Sequence, residues 1–237
     1  MKNKKPFIPR IVQIDGIYVF AGPCAKCPSY VEPWIKQFCS LQGNEWYVQI
    51  DEEWAGDNFN HFGLQECIPD YEIALEMVTD KHGNEWSSFS DQTLSKIVAQ
   101  SRHLFGLMHA RYICQSEGLR QIKKRYINGT FGKCPRFLCS GEKLVPVGIS
   151  QKIKRHSVKL FCPQCNDIYK APSSIKIDGA HFGPAFPHIF FSSYVEFDSF
   201  SRFKPFSEYV FGFPVHPSKR ISSPHSTNDH NMTPQLF

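Results

Sequence analysis

The sequence lacks any apolar run near the roughly 20 residues that a membrane-spanning helix requires. It also lacks a signal-peptide core, because Arg10, Gln13 and Asp15 interrupt the segment that follows the basic head MKNKK. A phosphate-cradling Gly-rich loop, an H-R-D catalytic loop and a D-F-G are all missing, which excludes a kinase active site of that type. Net charge is only +5, which permits an acidic partner without demanding nucleic acid. The nine cysteines cannot all pair. With no export signal, the chain is expected inside the cell, where clustered cysteines point to metal and not to disulfides.

Against these absences stand 21 Phe and 17 Pro in 237 residues. That excess favours many short segments pinned by aromatic contacts. Residues 1–33 read as a separate and flexible leader, rich in Pro and Gly. Residues 34–128 read as a helical domain. WIKQFCSLQ and DEEWAGDNF carry helical signals, and Ile68, Tyr71, Leu75 and Val78 recur at spacings of three and four after Pro69. Leu94, Ile97, Val98, Leu104, Phe105, Met108 and Tyr112 share one helical face, with Gly118 as the expected stop. LRQIKKRYI then places Ile122 and Tyr126 inside, and TDKHGNEWSSFS reads as a polar loop. His109 is expected to pack within its helix.

After Gly129 the pattern changes to short β-type runs, KLVPVGI, SVKLFC and DIYKA, interleaved with cysteines and turn residues. Cys134 and Cys139 precede Cys162 and Cys165, and the first cysteine of each pair is followed by proline. Two close pairs separated by a hairpin-sized insert are how a zinc ribbon presents four thiolates to one tetrahedral Zn2+ ion. Four cysteines close the coordination shell, so the expected ion is structural, one per chain, and no catalytic residue is assigned. Neither His181 nor His188 is needed as a ligand. Cys24 and Cys27 form half a metal motif without a second half, whereas Cys39, Cys67 and Cys114 fall on expected helices and read as small hydrophobes.

The zinc stretch contains more than ligand spacing. Cys134-Pro135, Cys139, Pro146-Val147-Gly148, Val158-Lys159 and Cys162-Pro163-x-Cys165 together resemble the signature of the casein kinase II regulatory (beta) subunit family, with Val145 where the family usually has Leu or Ile. LQGNEWYVQIDEEW, FNHFGL, GLMHARYI, GTFGKCPR, DGAHFG, FPHIFF and FGFPVHP extend the resemblance in family order over residues 34–217. The resemblance implies an α+β protein: an all-helical N-terminal domain, a small zinc-ribbon-like antiparallel sheet domain over 129–180, and an extended docking segment over 181–217. Residues 218–237 read as a disordered tail.

The resemblance further implies a non-catalytic regulatory subunit in the cytoplasm and nucleus. Such a chain forms a homodimer through its zinc domain and binds casein kinase II catalytic (alpha) subunits. It stabilises them and alters their choice of protein substrates. Docking is implied at Phe211, Gly212, Phe213, Val215 and His216. If the segment is extended, Phe211 and Phe213 point the same way. Here Phe211 stands for the usual Tyr and Pro214 for a Lys. The family's acidic loop is thin, with only Asp80, Glu85 and Asp91, which argues against polycation binding. The family's N-terminal serine-acidic phosphorylation site has no counterpart. The alternative function is a zinc-ribbon nucleic-acid-binding protein using Lys133, Lys152, Lys154, Arg155 and Lys159, with Phe137 and Phe161 to stack on bases. Those cations form no continuous run, and a solvated hairpin face explains them equally well.

Overall fold

An Asp-Gly pair between RIVQI and IYVFA makes the first elements. In the computed structural model, which describes residues 10–21, 32–197, 199, 202 and 204–214, β1 (Arg10–Ile14) and β2 (Ile17–Ala21) pair antiparallel. Asp15 and Gly16 turn the chain with φ of +48° and +84°. Two central residues at positive φ match the twist of the flanking strands and favour Asp-Gly. Ile17 and Val19 are buried in the main core. Part of the expected flexible leader is therefore ordered and packed.

Five helices follow: α1 (Trp34–Ser40), α2 (Glu52–Gly56), α3 (Tyr71–Val78), α4 (Asp91–Tyr112) and α5 (Ser116–Ile127). Asp51 caps α2 by accepting from the backbone N–H groups of Glu53 and Trp54, and Ser90 caps α4 by accepting from Thr93. All seven residues of the expected α4 stripe are buried. In α3 the buried face is Ala74, Met77 and Val78, so Tyr71 and Leu75 flank the core instead of filling it. Gly118 does not end a helix. It lies inside α5, where an added Cβ would come within 2.1 Å of the Tyr112 carbonyl oxygen, and its missing side chain lets α5 close onto the end of α4.

Aromatic contacts fasten these helices. Trp34 stacks on Phe38 at 5.1 Å between ring centroids, and Phe105 of α4 meets Phe38 edge-on at 5.0 Å. The expected polar loop between α3 and α4 carries an anchor of its own. Trp86 is fully buried, stacks on His82 at 4.1 Å and donates from its indole nitrogen to Glu76.

The β-type runs after Gly129 become β3 (Val145–Val147), β4 (Lys159–Cys162) and β5 (Asp167–Lys170), an antiparallel sheet in the order β3-β4-β5. Helix α6 (Phe186–Ser193) follows, with Phe186 and Phe190 buried and Ile189 packed beside them. One continuous core runs from Ile17 through the helices and Cys139 and Cys162 to Phe190. The helical and cysteine-bearing parts thus share a single compact unit through Lys204, and the described residues of the expected docking segment up to Lys204 belong to it.

A second unit starts at Pro205. In it β6 (Tyr209–Val210) pairs antiparallel with β7 (Phe213–Pro214). The expected tail, 218–237, lies outside the described residues, as do Cys24 and Cys27. Among the described residues no helix is long and apolar enough to cross a membrane. The fold class is α+β, as expected, and the β1–β2 hairpin lies in the stretch that was read as a leader.

Candidate metal centre and docking hairpin

Each cysteine pair sits on a tight turn built by backbone hydrogen bonds. In the first, Cys139 donates to the Arg136 carbonyl at 3.0 Å and Glu142 donates to the Cys139 carbonyl at 3.1 Å. Cys134 donates to the Glu142 carbonyl at 2.7 Å and closes the loop. Ser140 and Gly141 take φ of +51° and +79° to make the reversal. The second turn joins β4 to β5: Asn166, at φ +55°, donates to the Cys162 carbonyl at 2.9 Å.

These two turns bring the sulfurs of Cys134, Cys139, Cys162 and Cys165 within 4.8 Å of one another. The first three are buried and Cys165 is half-buried. Zinc–sulfur bonds of about 2.3 Å in a tetrahedron place sulfurs about 3.8 Å apart. The Cys134 and Cys165 sulfurs are separated by 3.9 Å, the spacing that two thiolates on one such ion would have.

The electrostatics point the same way. Burial, followed by hydrogen bonding to its neighbours, pushes the Cys139 thiol up to about 11, and burial raises Cys162 as well. Burial also opposes ionisation of Cys165, but hydrogen bonds from the Tyr169 hydroxyl at 3.2 Å and from neighbouring thiols leave it lowered. Several thiolates this close in a protein interior need a cation among them. A divalent cation that accepts thiolate ligands would supply that charge.

The remaining cysteines divide differently from expectation. Cys39 and Cys114 are half-buried and pack against the core. Cys67 is exposed and follows a short 3-10 turn over Leu64–Glu66, so it is not a packed helix residue.

His109 is fully buried and both ring nitrogens are satisfied. Nδ1 donates to the His181 carbonyl at 2.8 Å, and Nε2 accepts from the Val48 N–H at 3.1 Å. Burial depresses its pKa to about 3, so the ring stays neutral and structural. The basic-ribbon reading finds no support. Phe161, one of the two rings offered to bases, packs against His188 and Phe191.

The segment expected to dock a partner departs from the extended strand. Phe211 (φ +50°) and Gly212 (φ +85°) form a two-residue turn, and Val210 faces Phe213 across it. Phe211 and Phe213 therefore do not project from one face of a straight strand. They occupy the tip and the returning strand of a hairpin. Phe206, Tyr209, Val210, Phe211 and Phe213 are all exposed, Phe211 to 98%. Val215 and His216 lie outside the described residues.

Comparison with known proteins gives these features a context. The family described as "Casein kinase II regulatory subunit" matches residues 33–214. "Casein kinase II subunit beta" of Schizosaccharomyces pombe is 38% identical over 185 residues, 77% of this chain and 79% of that protein. "Casein kinase II subunit beta'" of Drosophila melanogaster is 34% identical over 203 residues, 85% of this chain and 92% of that protein. "Putative casein kinase II subunit beta-4" of Arabidopsis thaliana is 38% identical over 188 residues, 77% of this chain but only 65% of that longer protein.

Proposed function

Because the chain belongs to the casein kinase II regulatory subunit family, we propose that it works as a zinc-dependent dimer that docks, stabilises and redirects catalytic subunits of that kinase. Its role is regulatory and not enzymatic. Cys134, Cys139, Cys162 and Cys165 hold one ion per chain. When bound, zinc cross-links the two turns and, having four protein ligands, keeps no open position for chemistry.

The self-contact is assigned to the cysteine-bearing region. Strand β5 is an edge of its sheet, with Ile168 half-exposed on it, and Phe137 at the first cysteine turn is 92% exposed. An unpaired edge beside a large exposed ring favours association with a second copy. The expected location, cytoplasm and nucleus, follows the kinase and its protein substrates.

The observation that carries the docking assignment is Phe211. A bulky side chain at positive φ is strained, and nearly complete exposure gives it no compensating contact within its own hairpin. A strained, displayed ring in an apolar hairpin gains its stabilisation from a partner, and the family supplies one in the catalytic subunit.

Mixing the zinc-loaded chain with a casein kinase II catalytic subunit, followed by sedimentation and metal analysis of the complex, tests the assignment. The expected product contains two of each chain and one zinc per regulatory chain. Cys162→Ser is expected to lose both metal and self-association, since thiolate-bound structural zinc contributes on the order of 10 kcal/mol to such modules. A zinc-loaded chain that ignores the catalytic subunit would overturn the docking role. A metal-free Cys162→Ser dimer would overturn the link between zinc and dimerisation.

A further inference from the structure

A second group of metal-ligating side chains lies apart from the four cysteines. His103 lies on α4, while Asp178 caps the 3-10 turn Gly179–His181 and His181 ends it. One ligand atom from each lies within 4.8 Å of the other two. We propose that His103, Asp178 and His181 form a second divalent-cation site, suited to zinc.

The protein leaves two ring nitrogens of this group unsatisfied. His181 is buried, and its Nδ1 is 2.6 Å from the Tyr47 hydroxyl. Its Nε2 is buried as well and has no hydrogen-bond partner. The Nδ1 of His103 is in the same condition. A buried polar atom without a partner is costly and calls for an explanation such as an ion. Two such imidazoles beside one carboxylate make a donor set that zinc takes with a fourth position left open.

The surroundings prepare these groups for a metal. Metal-bound imidazole uses a lone pair on one nitrogen and donates its other N–H to an anchoring oxygen. Tyr47 is placed to be that oxygen for His181. Asp178 is held by two backbone donors, Ala180 on Oδ1 and Lys154 on Oδ2. Burial disfavours the charged form of both rings. Zinc bonds of about 2.0 Å place ligand atoms about 3.3 Å apart, closer than the present 4.8 Å limit. His103 is the less buried of the two rings and so the freer to adjust toward an ion.

Charge sets the order of filling. Lys154 and Arg102 both act on His103 as like charges, although the Arg102 guanidinium is held 3.2 Å from the Asp15 carboxylate. Two nearby cations and one carboxylate attract an ion less than several thiolates do. The cysteines therefore fill first, and the second ion then ties α4 to the 178–181 turn.

Cobalt titration of the full chain, with zinc already on the cysteines, tests the proposal. The unaltered chain is expected to take up one Co2+ with weak ligand-field absorption, without sulfur-to-cobalt charge transfer, and reversibly by zinc competition. His103→Ala is expected to weaken this ion at least about tenfold while the cysteine-bound zinc stays at one per chain, which shows that the fold is retained. Asp178→Asn should weaken it in the same direction. Uptake that stops at the cysteines, a second ion with thiolate charge transfer (as Cys24 and Cys27 would give), or a His103→Ala chain that binds cobalt normally would each overturn the assignment.

Discussion

Two hairpins of this chain turn in the same way and do opposite things with their side chains. β1–β2 reverses through Asp15-Gly16 and β6–β7 through Phe211-Gly212, each with two successive residues at positive φ. The first has Asp at the position that favours it, and its returning strand buries Ile17 and Val19 completely or nearly so. The second has Phe at that position and exposes Tyr209, Val210, Phe211 and Phe213. A two-stranded hairpin alone is marginal in water, so each needs a surface to lie on. The first finds that surface within its own chain. The second has none among its own described residues, and its turn carries an exposed ring at a strained position.

Removing the rings is expected to have the largest effect on this contrast. Phe211→Ala combined with Phe213→Ala should weaken catalytic-subunit binding severely, because buried aromatic anchors commonly cost about 2 to 4 kcal/mol each, or roughly 30- to 1000-fold in affinity. Zinc content and self-association should not change. Titration calorimetry of the double variant against the catalytic subunit decides this. Near-normal affinity would mean that β6–β7 is a displayed hairpin without a docking role.

The first hairpin predicts the reverse pattern. Ile17→Ala empties a fully buried site, and losses of about 2 to 5 kcal/mol in folding stability are usual for such truncations. Chemical denaturation should show the loss, while affinity for the catalytic subunit measured well below the unfolding transition should not move. An unchanged denaturation midpoint would show that β1–β2 is not part of the cooperative core.

The same pair of hairpins shows where the sequence was legible. The α4 stripe and the four cysteines could be read because each signal is local: a helical period in one case, close pairs with turn residues in the other. The β1–β2 hairpin carried a local signal too, since RIVQI and IYVFA flank an Asp-Gly. Pro and Gly in the surrounding segment obscured it, and the whole stretch read as a leader. Phe211-Gly212 was obscured for another reason. Phe does not advertise positive φ, so FGFP read as extended chain when it is in fact a turn.

Other features had no local signal. Gly118 carries the usual mark of a helix stop, and only the approach of α5 to the Tyr112 carbonyl explains its place inside a helix. The shared core joining helices to cysteine turns depends on contacts distant in sequence. So does the group of His103, Asp178 and His181, whose members come from α4 and from a turn that follows the cysteines. A histidine read one at a time gives no hint of which carboxylate it will meet.

The smallest change is expected when the turn is repaired and only one ring is lost. Phe211→Asn converts the second turn to Asn-Gly, the pairing that positive φ at both central positions favours. Asn tolerates that conformation through its short polar side chain, whereas Phe is held there at a cost on the order of 1 kcal/mol. The backbone of β6–β7 should therefore become more populated as a hairpin, by a margin readable in amide chemical shifts and hydrogen exchange of residues 209–214. Catalytic-subunit affinity should nevertheless fall, since the ring at the tip is gone, and it should fall less than in the double alanine variant because Phe213 remains. Folding stability of the unit that ends at Lys204 should stay as it was. If Phe211→Asn instead tightened binding, preorganised backbone would be the main determinant and the Phe211 ring would be incidental. A hairpin that is better formed yet binds worse would show that this position is occupied for its ring, at the expense of its own turn.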